Sequence, residues 1–506
     1  MSLDAARPDL VMGVVGTGAM GRGIAQIAAI AGCAVILMDA RDGAAAEARI
    51  FIAKMLNKLA ERGTLSTSAT EAALDRLVIA ETIADLAPCH VVVEAIVEDI
   101  TVKQSLMKDL EAIVSSDCLI ASNTSSLSVT SIAAACKHPE RVGGFHFFNP
   151  VPLMKVVEVI DGVMTAPWVV EALTALARRM GHTPVKAKDT PGFIVNHAGR
   201  GYGTEALKLV GEGVTDVFTA DRILKGAAGF RMGPFELLDL TGLDVSHPVM
   251  ESIYDQYYQE PRFRPSPIGR QRVTAGLLGR KTGRGFYAYK DDKAVVPPAP
   301  VVPAAWTGPV WVAPGEGSLA VTALVTKLDA ILERGEKPTK AALILIPVLG
   351  EDCTTACVRL GLDATRTIAI DPLFGLDSHH TLMTNPVTVA EIRDGAFGLL
   401  ASGNVAVSVI HDSPGLVAQR VVATVINIGC DIAQQGIATP EDIDKAVTLG
   451  LGYPAGPLSW GDRIGADKVV AILDTMLAIT GDPRYRASLW LRRRASLGVS
   501  LLTSES

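Results

Sequence analysis

A basic surplus is what this chain most clearly lacks. Of its 506 residues, 47 are Lys or Arg against 54 Asp or Glu, a net charge of -7. That balance argues against nucleic acid as a partner, because phosphates are bound by concentrated cationic side chains. The seven cysteines are odd in number and form no CxxC pair, so neither a disulfide framework nor a zinc site is expected, and the thiols read as small buried hydrophobes of a reducing compartment. Cys353 and Cys357 are spaced like helix neighbours, but no Cys or His flanks them, and no metal is expected. Long apolar runs are missing too. The stretch Ala341 to Leu349 is far too short to span a bilayer, and the first residues, with Asp4, Arg7 and Asp9, carry no apolar signal core. No membrane partner is expected, and a cytoplasmic location is. What is plentiful is apolar material: 49% hydrophobic residues against 20% charged suffice for several domains, each with its own core.

Val11 to Asp39 holds the strongest local signal. Val11 to Val15 and Ala34 to Met38 read as buried parallel strands and Ala19 to Ala31 as the crossover helix between them, a βαβ unit. Between the first strand and the helix lies the pattern Gly16, Gly18, Gly21. Gly16 allows the tight turn, Gly18 lets the backbone approach a pyrophosphate at the helix N-terminus, and Gly21 lets helix and strand pack closely. With Ala19 and Met20 these residues form a dinucleotide-binding turn, and Asp39 ends the second strand where an acid accepts hydrogen bonds from the adenosine ribose. A carboxylate there repels a 2′-phosphate and argues for NAD over NADP, although Arg41, two residues on, leaves NADP open.

The rest of residues 1–188 alternates strands and helices as a doubly wound α/β Rossmann domain does, with later strands at Val91 to Ala95, Leu119 to Ala121 and Val142 to Phe145. Residues 189–289 turn to long helical segments, an all-α domain, and the Pro-rich stretch 290–317 reads as a linker. The second half then repeats the first in degraded form. Asp189, Pro191 and Gly192 recur 223 residues later as Asp412, Pro414 and Gly415, and the same offset pairs Gly213 with Gly436, Asp221 with Asp444, Gly233 with Gly456 and Asp239 with Asp462. Residues 411–506 are therefore a second copy of the helical domain, and 318–410 a degenerate Rossmann-like segment without a glycine loop.

Phe145-His146-Phe147-Phe148-Asn149-Pro150 follows a strand, and Glu158 lies in the next apolar run, Lys155 to Ile160. Oxidising an alcohol with a nicotinamide cofactor needs a base near neutral pH, and a carboxylate on the other ring nitrogen fixes its tautomer. His146 and Glu158 suit those roles. Asn123-Thr124-Ser125-Ser126 offers polar groups at the carboxyl end of the strand Leu119 to Ala121, where ligands of such folds bind, with Ser126 read as a helix cap. Lys54, Lys58 and Arg62 recur on one face of a helix, a geometry that meets anionic phosphates or simply faces solvent.

Over residues 10–289 the chain resembles the L-3-hydroxyacyl-CoA dehydrogenase family. The motifs are GTGAMGRG from Gly16, VVEAIVED from Val92, SNTSSL from Ser122, HFFNPV from His146, KVVEVI from Lys155, DTPGFIVN from Asp189, GPFELLDLTGLD from Gly233 and GRKTGRGFY from Gly279. The resemblance implies that His146 is the general base and Glu158 its support. It assigns Ser125 and Asn196 to the substrate hydroxyl and nicotinamide, Asn149 to positioning His146 and substrate, and Glu98, Lys103 and Asn123 to the cofactor. The implied reaction is NAD-dependent oxidation of (S)-3-hydroxyacyl-CoA to 3-oxoacyl-CoA, and the coenzyme A phosphates of such a substrate are the anions that the face of Lys54, Lys58 and Arg62 would meet if it does not simply face solvent. The length resembles the double-domain form of phenylacetate breakdown, whose substrate is 3-hydroxyadipyl-CoA, and long forms acting on 3-hydroxybutyryl-CoA in fatty-acid oxidation look alike.

The chain departs from the family pattern at Asn196 to Gly203, where small residues widen a pocket or pack helices closely, and Arg200 is placed to meet a distal carboxylate. In the repeat, Asp371 stands near the place of His146 and Gln419 at that of Asn196, so the second site is expected to be inactive. Residues 411–506 are expected to pack on 189–289 as an internal pseudo-dimer, with a homo-oligomer left open. The competing classes are β-hydroxyacid dehydrogenases of free acids, which use a catalytic lysine, a non-enzymatic NAD-binding protein, which would have lost His146 or Glu158, and a flavoprotein, which nothing downstream supports.

Overall fold

β1 (Val11–Val15) and β2 (Ala34–Met38) pair in parallel in the interior of a sheet, as their uninterrupted apolar runs require, with α1 (Ala19–Ile30) crossing between them. The computed structural model describes residues 3–505 and divides into two units, Met1–His197 with Gln435–Leu451 and Ala198–Gln434 with Gly452–Ser506. The first unit continues with α2 (Ala44–Glu61), α3 (Thr67–Asp75), β3 (Leu77–Ile79), β4 (Val91–Glu94), α4 (Ile100–Ile113) and β5 (Leu119–Ser122). α5 (Val129–Ala133), β6 (Val142–Phe147), β7 (Val156–Asp161), α6 (Pro167–Arg179) and β8 (Thr183–Lys188) complete its sheet and helices. Strand order is β3-β2-β1-β4-β5-β6-β7-β8. All pairs are parallel except β6 with β7.

Both faces of this sheet are covered. Met12 and Val14 pack with Ile24 and Ile27 of α1 and Leu173 and Leu176 of α6, while Val15, Val92 and Ile120 pack with Met107 and Leu110 of α4. β6 runs on to Phe147, so His146 lies inside the strand and not after it.

After α7 (Val195–Ala198), the second unit holds α8 (Arg200–Gly211), α9 (Val217–Gly226), α10 (Pro234–Thr241), α11 (Leu243–Gln256), α12 (Pro267–Thr274) and the hairpin of β9 (Ala288–Lys290) and β10 (Lys293–Val295). A second sheet follows, built from β11 (Val310–Val312), α13 (Ser318–Lys327), β12 (Leu332–Glu333), β13 (Leu343–Pro347), α14 (Cys353–Leu360), β14 (Thr367–Ile370), β15 (His379–Thr384), α15 (Ala390–Ala401) and β16 (Ala406–Ile410). Its order, β12-β11-β13-β14-β15-β16, repeats the first sheet's pattern: parallel throughout, with one antiparallel step, here β14 to β15. The stretch read as a linker thus contributes β11 to this sheet.

The second helical copy comprises α16 (Val417–Gln434), α17 (Pro440–Gly450), α18 (Pro457–Ile464), α19 (Ala466–Thr480) and α20 (Leu489–Leu497). α16 is buried on nearly every side, as its apolar composition demands, and α8 packs along it. A Cβ added to Gly201 would stand 3.0 Å from Ile428, so the glycine sets how closely the two helices approach. Beside this crossing Glu205, fully buried, accepts from the Tyr485 hydroxyl at 2.7 Å, from Arg484 at 3.1 Å and from Arg420. Burial alone would raise its carboxyl, but Arg420 and Arg484 outweigh that and hold it at about 2.

The second helix of each copy packs on the sheet of the other half. In the first unit α17 covers β7 and β8, and the Lys188 N–H donates to the Ile437 carbonyl at 2.9 Å. In the second unit α9 covers β15 and β16, and the His411 N–H donates to the Val214 carbonyl, also at 2.9 Å. Those four residues are related by the 223-residue offset, so the two contacts are equivalent, one within each unit.

Candidate active site

The antiparallel step between β6 and β7 sets His146 directly opposite Glu158. Nδ1 of the imidazole lies 2.6 Å from Oε2 of the carboxylate, and the other oxygen, Oε1, accepts the N–H groups of Ile194 and Val195 at 2.8 Å each. Both side chains are buried, Glu158 completely. With two backbone N–H groups on its other oxygen the carboxylate serves as the acceptor of this contact and Nδ1 as its donor, so Nε2 is the ring nitrogen left for a second partner. The ring is fixed by Phe148 and Phe193, with centroids 4.4 and 5.8 Å away.

The glycine turn has the shape a pyrophosphate needs. Gly16 has φ +89°, and a Cβ there would lie 2.6 Å from the Ala95 carbonyl oxygen; one on Gly21 would lie 1.8 Å from that of Gly16. Over Gly18 there is open space, and as N-cap of α1 it brings no side chain to the first turn of N–H groups. Asp39 accepts from Thr17 through its N–H at 2.7 Å and its hydroxyl at 2.8 Å, and from the Arg41 N–H at 3.0 Å. Burial raises this carboxyl, but those hydrogen bonds outweigh it and leave it below its ordinary value. Arg41 pairs with Glu47 at 2.6 Å. Space and donors together fit a dinucleotide.

Glu98 and Lys103 sit at the carboxyl end of the same sheet. Lys103, 1% exposed, reaches Glu94 at 2.6 Å and Glu98 at 3.3 Å. Glu98 gathers Thr124, Ser125 and Ser126 through their hydroxyl and N–H groups. Burial would raise Glu98, but Lys103 and these bonds hold it down. Ser126 is thus a Glu98 ligand, and the cap of α5 is Ser128, two residues on. Asn123 accepts the Phe147 N–H at 2.8 Å and so secures the end of β6, while Asn196 donates to the Ser125 carbonyl at 3.3 Å. These contacts bring Ser125 and Asn196 together.

A groove of about 820 Å³ in the first unit runs between α1, α2 and the segment after the dyad strand. Lys58, Arg62, Asn149 and Lys155 line it, with Arg22 stacked on Phe51 at 3.8 Å. Lys54, one turn before Lys58, is exposed and lies outside its lining. Arg200 opens α8 in the second unit, where burial lowers its guanidinium to about 10 against an opposing influence from Tyr453.

Residues 11–190 match the family model of the 3-hydroxyacyl-CoA dehydrogenase NAD binding domain, and residues 192–289 and 415–501 each match that of the 3-hydroxyacyl-CoA dehydrogenase C-terminal domain. The chain belongs to the 3-hydroxyacyl-CoA dehydrogenase family. It is 36% identical to the 3-hydroxyadipyl-CoA dehydrogenase of Escherichia coli K12 over 485 residues, 96% of this chain and 97% of that protein. To the mitochondrial hydroxyacyl-coenzyme A dehydrogenase of Sus scrofa it is 41% identical over 283 residues, 55% of this chain and 90% of that one. The crystal structure of 3-hydroxybutyryl-CoA dehydrogenase from Escherichia coli K12 superposes with a TM-score of 0.84 at 35% identity, covering 97% of this chain and 98% of that one. Within the hydroxyacyl-CoA dehydrogenases, the chain is of the NAD-dependent oxidoreductase class.

Some residues of this dehydrogenase site escape a reading of its sequence. Glu94 takes Lys103, the Ser122 hydroxyl and the Ile96 N–H, yet its only signal is an acid closing an apolar strand. Asp189 holds Ser128, Val129 and Thr130 at the start of α5, and Asp412 holds Cys353 and Thr354 at the start of α14. In the second sheet of the dehydrogenase, Asp371 and Thr381 adjoin where the first has His146 and Glu158, the Asp371 N–H donating to the Thr381 carbonyl at 3.1 Å. Gln419, at the place of Asn196, donates to Asp371 Oδ1 at 2.9 Å. The βαβ unit there also carries a glycine pair that the Pro-rich surroundings disguise: Gly315 and Gly317, with Ala320, lie between β11 and the first turn of α13. A Cβ on Gly317 would lie 2.3 Å from Pro372, so the space that is open over Gly18 is covered here.

Proposed function

We propose that this chain is a cytoplasmic enzyme that oxidises the 3-hydroxyl of an (S)-3-hydroxyacyl-CoA with NAD, acting on 3-hydroxyadipyl-CoA or 3-hydroxybutyryl-CoA in the breakdown of phenylacetate or fatty acids. The observation that carries the reading is the 2.6 Å contact from His146 Nδ1 to a buried carboxylate already fixed by two backbone donors. Bound NAD supplies the acceptor for the hydride that leaves C3. His146 takes the hydroxyl proton on Nε2, and Glu158 keeps the imidazole in the competent tautomer and stabilises the imidazolium that forms. The N–H groups of Ile194 and Val195 keep Glu158 aligned while it does so.

Ser125 and Asn196 bond the substrate hydroxyl and the nicotinamide, and Asn149 positions the substrate beside His146. Gly16, Gly18 and Gly21 with Ala19 and Met20 seat the pyrophosphate, and Asp39 binds the adenosine ribose. Asp39 supports NAD over NADP, since a carboxylate there repels a 2′-phosphate. Glu98 and Lys103, linked to Glu94, support the nicotinamide ribose. Lys58 and Arg62 meet the phosphates of coenzyme A from the wall of the 820 Å³ groove. Arg200 is proposed for a distal carboxylate, and residues 189–289 with 411–506 form an internal pseudo-dimer, a reading that the equivalent α9 and α17 contacts support.

The test is NADH formation from (S)-3-hydroxybutyryl-CoA and 3-hydroxyadipyl-CoA in parallel, with His146→Ala as control. Turnover that depends on His146 is expected, and faster turnover of the dicarboxylate favours the phenylacetate role. Absence of turnover with both substrates would overturn the reading.

A further inference from the structure

The second half has lost the groups for hydride transfer, yet it keeps a cavity beside the place where they stood. The cavity, about 460 Å³ and wholly within the second unit, is walled by Leu373, Phe374, Pro454, Trp460, Arg463 and Lys468. Asp371 builds one wall: its Oδ1 accepts the N–H groups of Leu373 at 2.9 Å and Phe374 at 3.1 Å. Pro372, between Asp371 and Leu373, covers Gly317 and closes the turn to a pyrophosphate. What remains has the volume for one small ligand and not for a dinucleotide.

Its charge has also been rebuilt. The 223-residue offset pairs Arg463 with Leu240 and Lys468 with Val245, which the first copy leaves 51% and 55% exposed as an apolar surface. The second copy thus carries two cations where the first carries two aliphatic side chains. The Arg463 side chain has no hydrogen-bond or ion-pair partner among the described residues, and Lys468 reaches only Glu316, in the glycine turn, at 3.0 Å. That pair is exposed on both sides and gives way readily to a stronger anion. An arginine fork and a lysine five residues apart match a dianionic phosphate, and Pro454, exposed, lines the cavity next to them with the edges of the buried Trp460 and Phe374.

We propose that this cavity is a non-catalytic binding site for a mononucleotide phosphate, with Arg463 and Lys468 holding the phosphate and the Phe374, Trp460 and Pro454 wall receiving the ring. The same chemistry is offered by a free adenine nucleotide and by the nucleotide end of coenzyme A.

The experiment is equilibrium dialysis of labelled AMP, and separately of coenzyme A, against the full-length protein and the Arg463→Ala/Lys468→Ala variant, with NAD-dependent turnover followed in both. The variant is expected to bind one AMP fewer per chain and to keep wild-type turnover, which also shows that it is folded. If coenzyme A loses a site as well, that molecule is the source; if only AMP does, the ligand is a free nucleotide. Equal AMP stoichiometry in the two proteins overturns the proposal. Loss of turnover in wild type would instead count against the proposed reaction, so the two failures are told apart.

Discussion

The two sheets of this molecule share an antiparallel step and differ in what stands on it. In the first, His146 faces Glu158, whose two oxygens both accept hydrogen bonds; in the second, Asp371 adjoins Thr381, and both Asp371 Oδ2 and Thr381 Oγ1 are buried with no hydrogen-bond partner among the described residues. The devices that hold the surrounding backbone are nevertheless retained, with Asp189 at the start of α5 matched by Asp412 at the start of α14. The contrast separates two demands on one scaffold. Strand direction and helix capping preserve the fold, whereas the proposed chemistry rests on one cross-strand pair, and the second half keeps the fold without that pair.

The largest effect should come from moving that contrast to the bench. His146→Ala is expected to lower kcat by about 10² to 10⁴-fold, the usual worth of a positioned base, while Asp371→Ala leaves kcat unchanged in the same NADH assay. A parallel loss in Asp371→Ala would erase the distinction between the halves. Next, Glu205→Gln removes the charge at the centre of the Arg420, Arg484 and Tyr485 cluster. Urea denaturation should show a loss of up to about 3–5 kcal/mol, because the two buried arginines lose the carboxylate they share and keep only Glu212 and Asp482 at the margin of the cluster. With its carboxyl held at about 2, the stability that Glu205 confers is present above the ordinary value and disappears as pH falls towards 2.

Asp371 gives the opposite sign. Burial pushes its carboxyl up to about 6, with Gln419 and two backbone donors opposing, so ionisation costs stability as pH rises from about 4 through about 6. Asp371→Asn keeps an oxygen for those donors, and should be more stable than wild type at pH 7 by up to about 3 kcal/mol, the gap closing below pH 4. Unfolding midpoints at the two pH values check this. The smallest effect is expected from Lys58→Ala/Arg62→Ala: KM for the acyl-CoA rises about tenfold with kcat unaltered, as for uniform binding of a remote phosphate. Initial-rate kinetics that moved kcat instead would place those cations nearer the chemistry.

Much of this was legible before any coordinates. The strand, glycine turn, helix and strand of residues 11–38 could be read to within a residue, because a βαβ unit with a backbone-tight turn leaves few residue choices at its glycines. The internal repeat was legible for a similar reason, since capping aspartates and turn glycines survive divergence. Strand direction was not: an apolar run reads the same whichever way it points, so the facing of His146 and Glu158 across β6 and β7 is a tertiary fact. Glu94 and Lys103 resemble an ordinary solvated pair until the sheet closes over them. Ser126 was mistaken for a cap because a hydroxyl before a helix signals one, and the choice between it and Ser128 lay with Glu98. The second glycine turn hid within a Pro-rich stretch whose composition suggests a linker.

The exchange of α9 and α17 between the copies has a consequence for synthesis on the ribosome. Lys188 meets its partner strand-edge contact at Ile437, a residue translated roughly 250 codons later, which at about 5–20 residues per second is a wait of about 10–50 s. Throughout that interval the nascent first sheet has its last two strands made but not the helix that covers them. The edge of β8 and the face of β7 are then open to whatever else the cell presents, and a chaperone that shields them during elongation would act on the exchanged helix's vacancy alone.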